Sequence, residues 1–157
     1  MTELPTPPLF GLPQVAATTD DYYTPTWIFE TMCLEFDIDV ASPPGGVPWI
    51  PAKHYFTMED DGLASPWHGR VWMNPPFSNP GPWVHRFLDH GHGVALVPTS
   101  RGRWFDRVWS SDATIVSLPY NFEFSRNNEL SGISYRTILI AFGAECIEAI
   151  GRVGRLR

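Results

Sequence analysis

The sequence predicts a small α/β domain with an open, doubly wound sheet that is mainly parallel and has a final antiparallel strand. Runs with strand character alternate along the chain with amphipathic helical segments. The length of 157 residues suits a single domain, and 43% hydrophobic residues with only 18% charged residues are enough for a buried core. The 16 prolines exclude a coiled coil or a long-helix bundle, because proline interrupts helices.

Proline and glycine mark most boundaries of the predicted elements. Thr24 has the character of an N-cap, and Pro25 that of a first helical residue. In chain order we predict a helix at about 25–35, strands at 36–41 and 69–73, a helix from 80 to 91, a strand at 94–97, a helix at about 102–110, and strands at about 113–118 and 133–142. Segment 47–70 is expected to be irregular. The alternation of strands and helices predicts a Rossmann-like sheet.

The predicted domain begins after a proline-rich start. Residues 1–20 show little apolar periodicity, which predicts an extended N-terminal arm. Residues 21–157 are expected to form the single domain.

The charge of the chain argues against a protein that coats nucleic acid. The formal net charge is −6, although a local basic face is compatible with it. Arg101, Arg103 and Arg107 fall within seven positions, and arginine suits bidentate contacts to phosphates and base edges. These three residues are therefore candidate DNA contacts. The alternative is that they form salt bridges and favour solubility.

Neither a metal site nor a membrane anchor is indicated. Cys33 and Cys146 are far apart and belong to no Cys-x-x-Cys or Cys/His ligand pattern, so no metal is expected. The chain shows neither a signal-peptide pattern nor an apolar run of about 18 residues. A reducing cytoplasm is the expected location.

The tetrapeptide Asn74-Pro75-Pro76-Phe77, directly after a predicted strand, carries the clearest chemical signal. Ligands of open α/β sheets bind outside the carboxyl ends of the strands. The two prolines fix the backbone and donate no N–H, so this turn offers mainly acceptors. The Asn74 oxygen and an adjacent carbonyl could accept both hydrogens of a planar amino group, with Phe77 stacked on the ring that carries it. Such contacts would expose the lone pair of the amine for attack on an electrophilic methyl group.

The ordered motifs resemble those of phage-type DNA N-6-adenine methyltransferases. They are Tyr23-Thr24-Pro25-x-Trp27, Phe36-Asp37-Ile38-Asp39-Val40-Ala41, Asp61-Gly62-Leu63 with Trp67, Asn74-Pro75-Pro76-Phe77-Ser78, Trp83-Val84, and Val97-Pro98-Thr99 with Trp104-Phe105. The resemblance spans about residues 22–125 and implies a compact methyltransferase fold with S-adenosylmethionine as cofactor. It also implies a DNA partner, from which the target adenine is flipped into a pocket at residues 74–77, and the host cell cytoplasm as location if the gene is phage-encoded.

The resemblance also implies roles for individual residues. Asn74, Pro75, Pro76 and Phe77 would hold the target adenine. The cofactor would be bound by Asp39 and Ala41 at the end of the first strand, by Asp61 and by Thr24. For Thr24, helix capping is an alternative that needs no ligand. A homodimer would compensate for the small DNA-contact surface.

Two other functions stay open at the level of sequence. The same acceptor turn would suit RNA or a protein glutamine, since an amide nitrogen satisfies the same acceptors. A catalytically silent DNA-binding or decoy module of the same fold is the third reading, and the net charge of −6 favours it slightly.

Overall fold

A computed structural model describes residues 23–118, 124–126, 129–131 and 136–154. The predicted arm over residues 1–20 lies outside these ranges, so the domain boundary at residue 21 stays a prediction. No helix in the described part of the chain is long and apolar enough to cross a membrane.

Four helices and eight strands make up the described part of the chain, with one 3₁₀ turn at Met58–Asp60. The helices are α1 (Thr26–Met32), α2 (Gly81–His90), α3 (Arg103–Trp109) and α4 (Ala144–Gly154). The strands are β1 (Phe36–Asp39), β2 (Ala52–Tyr55), β3 (Val71–Met73), β4 (Gly93–Pro98), β5 (Thr114–Ser117), β6 (Phe124–Arg126), β7 (Glu129–Ser131) and β8 (Thr137–Phe142).

Six strands form one sheet in the order β2-β1-β3-β4-β8-β5, and β6 and β7 pair with each other. The pairs β1 with β2, β1 with β3, and β3 with β4 are parallel. Strand β8 lies between β4 and β5 and runs antiparallel to both. The prediction of a mainly parallel sheet with a final antiparallel strand is confirmed.

Side chains of successive strand residues point to opposite faces of the sheet. Both faces of this sheet carry apolar side chains, and helices cover both. Trp72 and Val94 belong to the core under α1 and α4, whereas the residues that follow them, Met73 and Ala95, belong to the core under α2 and α3. Strand β4 is buried along its whole length, which explains its continuous apolar sequence. The sheet is therefore packed on both sides.

Helix α2 has the boundaries that its sequence predicts. Pro80 precedes its first residue, and Gly91 ends it in the left-handed conformation at φ 73°. The Gly91 N–H donates to the Phe87 carbonyl at 3.1 Å. These boundaries place α2 directly after the 74–77 tetrapeptide.

Several features differ from the sequence analysis, including the unpredicted strands β6 and β7. Segment 47–70 contains strand β2, an edge strand with three exposed residues, and the C-terminal helix α4 was not predicted. The prediction that Thr24 caps α1 is wrong, because the N-cap is Pro25 and no side chain caps the helix. Strand β8 begins at Thr137, and residues 133–135 of the predicted strand lie outside the described part of the chain.

Candidate active site

The order of strands in the sheet reverses between β1 and β3. The chain runs from β1 to β2 on one side and then places β3 on the other side of β1. In open α/β sheets, ligands bind at such a switch point, outside the carboxyl ends of the strands. A cavity of about 380 Å³ opens at the ends of β1 and β3.

The cavity brings together residues that are distant in the sequence. All four residues expected at a cofactor line it, as do the first and third residues of the tetrapeptide. These lining residues are Thr24, Asp39, Ala41, Asp61, Asn74 and Pro76. Pro75 is buried and Phe77 is half-buried, and neither belongs to the lining. Phe77 packs instead against the core under α1 and α4.

Asp39, the last residue of β1, is a buried carboxyl group in the cavity wall. It is 3% exposed. Its Oδ1 accepts a hydrogen bond from the Ala41 N–H at 3.3 Å. Burial raises the pKa of Asp39 to about 7, because hydrogen bonds from the Ala41 N–H and the Ser42 side chain offset only part of the lost hydration. The carboxyl group can therefore change charge near neutral pH.

Asp61 enters the same cavity from the loop after the 3₁₀ turn. It adopts the left-handed conformation at φ 51°, which aspartate tolerates better than most residues. The next residue, Gly62, is buried, and a Cβ atom there would clash with the Val40 carbonyl oxygen just after β1. This close approach requires glycine and places Asp61 beside the carboxyl end of β1.

The tetrapeptide forms a stiff turn between β3 and α2. It starts directly after Met73, the last residue of β3. The Asn79 N–H donates to the Pro76 carbonyl at 3.2 Å before α2 begins at Gly81. The half-buried Asn74 side chain lies where the strand ends, on the lining of the cavity. The turn thus places Asn74 and Pro76 on the lining of the cavity, beside the Asp39 loop.

Sequence comparison gives an independent finding about this arrangement. A family model described as DNA N-6-adenine-methyltransferase (Dam) matches residues 14–119, which include both halves of the cavity. The chain belongs to the Dam family. The resemblance inferred from the ordered motifs is thereby confirmed.

A curated relative supports the same assignment. The chain is 33% identical over 110 residues to the DNA N-6-adenine-methyltransferase of Haemophilus phage HP1 (strain HP1c1). The match covers 63% of this chain and 62% of the relative, so it spans less than two thirds of the relative's length. No solved structure matches significantly.

In this member of the Dam family, α2 holds the loop of residues 61–65, which we call the cavity loop. The Arg86 guanidinium of α2 donates to the carbonyls of Gly62, Leu63 and Ser65. It also lies 4.7 Å from the ring centroid of Trp67, whose indole N–H donates to the Gly62 carbonyl at 2.7 Å. The helix that follows the tetrapeptide therefore fixes the loop that carries Asp61.

The sequence analysis missed two tryptophans of the cavity, Trp72 and Trp83. Trp67 and Trp104, which belong to the ordered motifs, do not line the cavity. A tryptophan within an apolar strand is usually a core residue, so the sequence held no direct signal for Trp72. Trp83 lies in the first turn of α2, and its position shortly after the tetrapeptide was the available signal.

The three candidate DNA-binding arginines differ in their surroundings. Arg101 and Arg103 are exposed beyond the carboxyl end of β4, the parallel neighbour of β3. The Arg107 guanidinium instead forms an ion pair with Asp89 and donates to the His85 carbonyl at 3.2 Å. Arg107 is therefore ion-paired in the structure, and a DNA contact by any of the three arginines stays a prediction.

At the other end of the parallel strands, beside the start of β4, the described residues include one group of three side chains that could bind a metal ion. Ligand atoms of His92, Glu145 and Cys146 lie within 4.8 Å of one another. Glu145 already accepts hydrogen bonds from His92 and Arg70, and the His92 bond lowers the pKa of Glu145 to about 2. Burial raises the pKa of Cys146 to about 11, which disfavours the thiolate. The nearby Arg70 cation and the neutral Cys146 thiol both disfavour metal binding, so these side chains form an ion-pair network rather than a metal site.

Proposed function

We propose that the chain is an adenine-specific DNA methyltransferase that transfers a methyl group from S-adenosylmethionine to the exocyclic amino group of adenine. One observation carries this proposal: Asn74 of the proline-stiffened turn and the buried carboxyl group of Asp39 line the same cavity at the switch point of the sheet. Membership of the Dam family supports the choice of substrate.

The residues of the cavity suit S-adenosylmethionine. A volume of about 380 Å³ lies within the usual range for small-molecule sites, about 300–1,000 Å³. Asp39 offers a carboxyl group to a positively charged ligand, and Thr24 and Trp72 contribute buried polar atoms without a partner in the described structure. When bound, S-adenosylmethionine supplies an electrophilic methyl group on a sulfonium centre.

The tetrapeptide is proposed to hold the acceptor. The Asn74 side-chain oxygen and the Pro75 carbonyl accept the two hydrogens of the adenine amino group, which leaves the nitrogen lone pair available. The nitrogen forms its bond to carbon as the sulfur–carbon bond breaks, and then loses a proton to water. Positioning of the two reactants is the main contribution, which can be worth about 7–11 kcal/mol in favourable cases.

Base flipping is part of the proposal, because a stacked adenine cannot present its amino group to a cavity. Extrusion costs a few kcal/mol, which stacking and base-edge hydrogen bonds offset. Phe77 of the same turn is the proposed stacking residue by the family motif, and its ring would have to leave its contact with the core under α1 and α4 to reach the base.

The DNA backbone is proposed to lie on the β4 side of the tetrapeptide. Arg101 and Arg103 are exposed there, and the Cβ position of Gly81 at the start of α2 lies 3.4 Å from the Trp104 ring. The segment that carries the arginines is therefore packed beside the exit of the turn. Glu59, Asp60 and Asp61, on the β2 side, would repel phosphates.

The test measures transfer of labelled methyl groups from S-adenosylmethionine to unmethylated DNA, to RNA and to protein. We expect label in DNA, on the adenine N6 atom. Asn74→Ala should lower kcat about 100- to 1,000-fold, as loss of a preorganised hydrogen-bonding group in an active site does. Cofactor affinity, measured by calorimetry, should stay within a few-fold of the wild-type value.

Asn79→Ala is the matched control, since Asn79 is an exposed asparagine of the same loop that does not line the cavity. It should retain wild-type kcat. Label that enters RNA or protein instead of DNA would refute the proposed acceptor. Cofactor binding without any transfer would show a catalytically silent module, and full activity of Asn74→Ala would remove Asn74 from the reaction.

A further inference from the structure

Most of the cationic side chains that the structure describes are already held by partners within the protein. The partners are a carboxylate for Lys53, Arg70, Arg107 and Arg152, and backbone carbonyls for Arg86. A cation beside a carboxylate has its charge offset locally, so it attracts a more distant anion only weakly. Candidates for binding an anionic partner are therefore the cations that remain.

Those cations are Arg101, Arg103 and Arg136, for which the described residues provide neither an ion pair nor a side-chain hydrogen bond. All three are exposed. Asp106, one turn after Arg103 on α3, forms no ion pair with it in this part of the chain. Arg136 was not a candidate by sequence, and it lies beyond residues 14–119, which the Dam family model matches.

Strand pairing brings Arg136 to the segment that carries the other two arginines. Arg136 directly precedes β8, whose first residue, Thr137, pairs with Pro98 at the end of β4. The Thr99 N–H donates to the Arg136 carbonyl at 2.8 Å. Consecutive Cα atoms are about 3.8 Å apart and those of paired antiparallel residues about 5 Å, so the Cα atoms of Arg101 and Arg136 lie within about 13 Å of each other. We call the exposed side of Arg101, Arg103 and Arg136 the arginine surface.

The arginine surface lies at the same edge of the sheet as the tetrapeptide. Asn74 follows β3, and the segment with Arg101 and Arg103 follows β4, the parallel neighbour of β3. The exposed acidic residues Glu59 and Asp60 come after β2, on the other side of the cavity. The strand order β2-β1-β3-β4-β8 thus separates an acidic side from a basic side, with the cavity and the tetrapeptide between them.

A polyanion matches this separation of charge. The net charge of the chain is −6, so attraction of a polyanion depends on a local basic surface. The planar N–H groups of a guanidinium form bidentate hydrogen bonds with phosphate oxygens. A span of about 13 Å corresponds to about three to four nucleotides, at about 3.4 Å each along the axis of one strand.

We propose that Arg136 binds the phosphate backbone of DNA together with Arg101 and Arg103, on the strand that carries the flipped adenine. The inference rests on the proposed function, which assigns DNA as the substrate, and it adds a contact from outside the matched part of the chain. Contacts of this kind position the duplex and do not read its sequence.

The test measures binding of Arg136→Ala to several duplexes of unrelated sequence over a range of salt concentrations. Loss of one phosphate contact should weaken binding to every duplex about fivefold and reduce the slope of log K against log salt by about 1. Arg136→Lys keeps the charge and should retain most of the slope. In methyl transfer, Arg136→Ala should raise KM for DNA and leave kcat at saturating DNA unchanged, because Arg136 contacts no reacting atom.

Lys53→Ala is the matched control, because it removes one exposed positive charge from β2, on the acidic side, where Lys53 is paired with Asp37. It should leave the slope and KM for DNA unchanged. Arg136→Gln keeps part of the aliphatic stem and should give the same losses as Arg136→Ala. The melting temperatures of both Arg136 variants should equal that of the wild type, since the guanidinium has no partner among the described side chains.

An unchanged slope in both Arg136→Ala and Arg136→Gln would overturn this inference and leave the proposed function intact. A loss confined to one duplex would also overturn it, because it would show a contact to a base edge instead of a phosphate. Failure of the wild-type protein to bind or methylate any DNA would overturn the proposed function as well. The failures are therefore distinguishable in one set of measurements.

Discussion

Replacement of Asp39 by asparagine should stabilise the ligand-free protein while it weakens cofactor binding. Burial raises the pKa of Asp39 from its ordinary value of 3.8 to about 7. Its contribution to stability is therefore fully present below pH 3.8 and is lost as the pH rises towards 7. At about 1.4 kcal/mol per pH unit, the carboxylate costs up to about 4 kcal/mol above pH 7. We expect Asp39→Asn to recover up to that amount at about pH 8, and almost nothing near pH 4.

Cofactor binding should respond in the opposite direction. A cationic ligand stabilises the ionised form of Asp39, so binding below pH 7 requires the free protein to release a proton. Wild-type affinity should therefore fall up to about tenfold for each pH unit below 7. In Asp39→Asn this contribution should be absent, and the affinity at about pH 8 should be about 100-fold lower, because a buried charge pair is lost.

Denaturant unfolding of the ligand-free protein and calorimetry, each over a range of pH, measure the two effects. Asp37→Asn is the matched control on the same strand. The backbone N–H of Arg70 lowers the pKa of Asp37, so that carboxylate adds stability that is lost as the pH falls through its folded-state pKa. Asp37→Asn should thus destabilise the protein near neutral pH. Destabilisation by Asp39→Asn at about pH 8 would refute the reasoning.

Two further predictions concern the surroundings of the cavity. Arg101→Ala combined with Arg103→Ala should weaken DNA binding and reduce the slope of log K against log salt by about 2. Lys53→Ala, the control, should leave the slope unchanged. An unchanged slope in the double variant would leave these arginines with a role in solubility only. Arg86→Met should release the cavity loop and raise KM for S-adenosylmethionine about tenfold with kcat nearly constant at saturation. Arg152→Met is the control, because it removes guanidinium hydrogen bonds to the carbonyls at the end of α1. It should lower stability without changing KM. Equal effects of both variants on KM would contradict a positioning role for Arg86.

Local sequence signals identified the elements whose boundaries are set by special residues. Pro80 and Gly91 delimit α2, since proline suits a helix start and glycine the left-handed end. The tetrapeptide was correctly placed after a strand, which located Asn74 at a carboxyl end of the sheet. These predictions needed only the backbone preferences of a few residues.

Strand β2 and helix α4 were missed for different reasons. Three of the four residues of β2 are exposed, so Ala52–Tyr55 lacks the apolar alternation that identifies strands. In α4 the signal was present, because the buried residues Cys146, Ala149, Ile150 and Val153 have helical spacing. Residues 144–154 therefore carry a helical pattern of their own, which the predicted elements did not include.

The polar atoms of the cavity could not be read from the sequence, because pairing of a buried group depends on contacts between distant segments. Thr24 before a proline looks like a helix cap in any sequence, and only the structure shows that its hydroxyl caps nothing. Trp72 is likewise an ordinary core residue by sequence. The order of the motifs predicted the family, whereas the polar groups proposed to bind the ligand required the fold.

Several costly features of the described structure coincide at one place. A carboxyl group is buried at Asp39, two donors are unpaired at Thr24 and Trp72, and Asp61 adopts a left-handed backbone conformation. Such costs persist where the surrounding structure enforces them, and they concentrate at functional sites. A ligand with a carboxylate, an ammonium group and a net positive charge would relieve the costs at Asp39, Thr24 and Trp72 together, because its charges and acceptors complement them. This complementarity explains why the same substitution at Asp39 is expected to raise the stability of the free protein and to lower its affinity for the ligand.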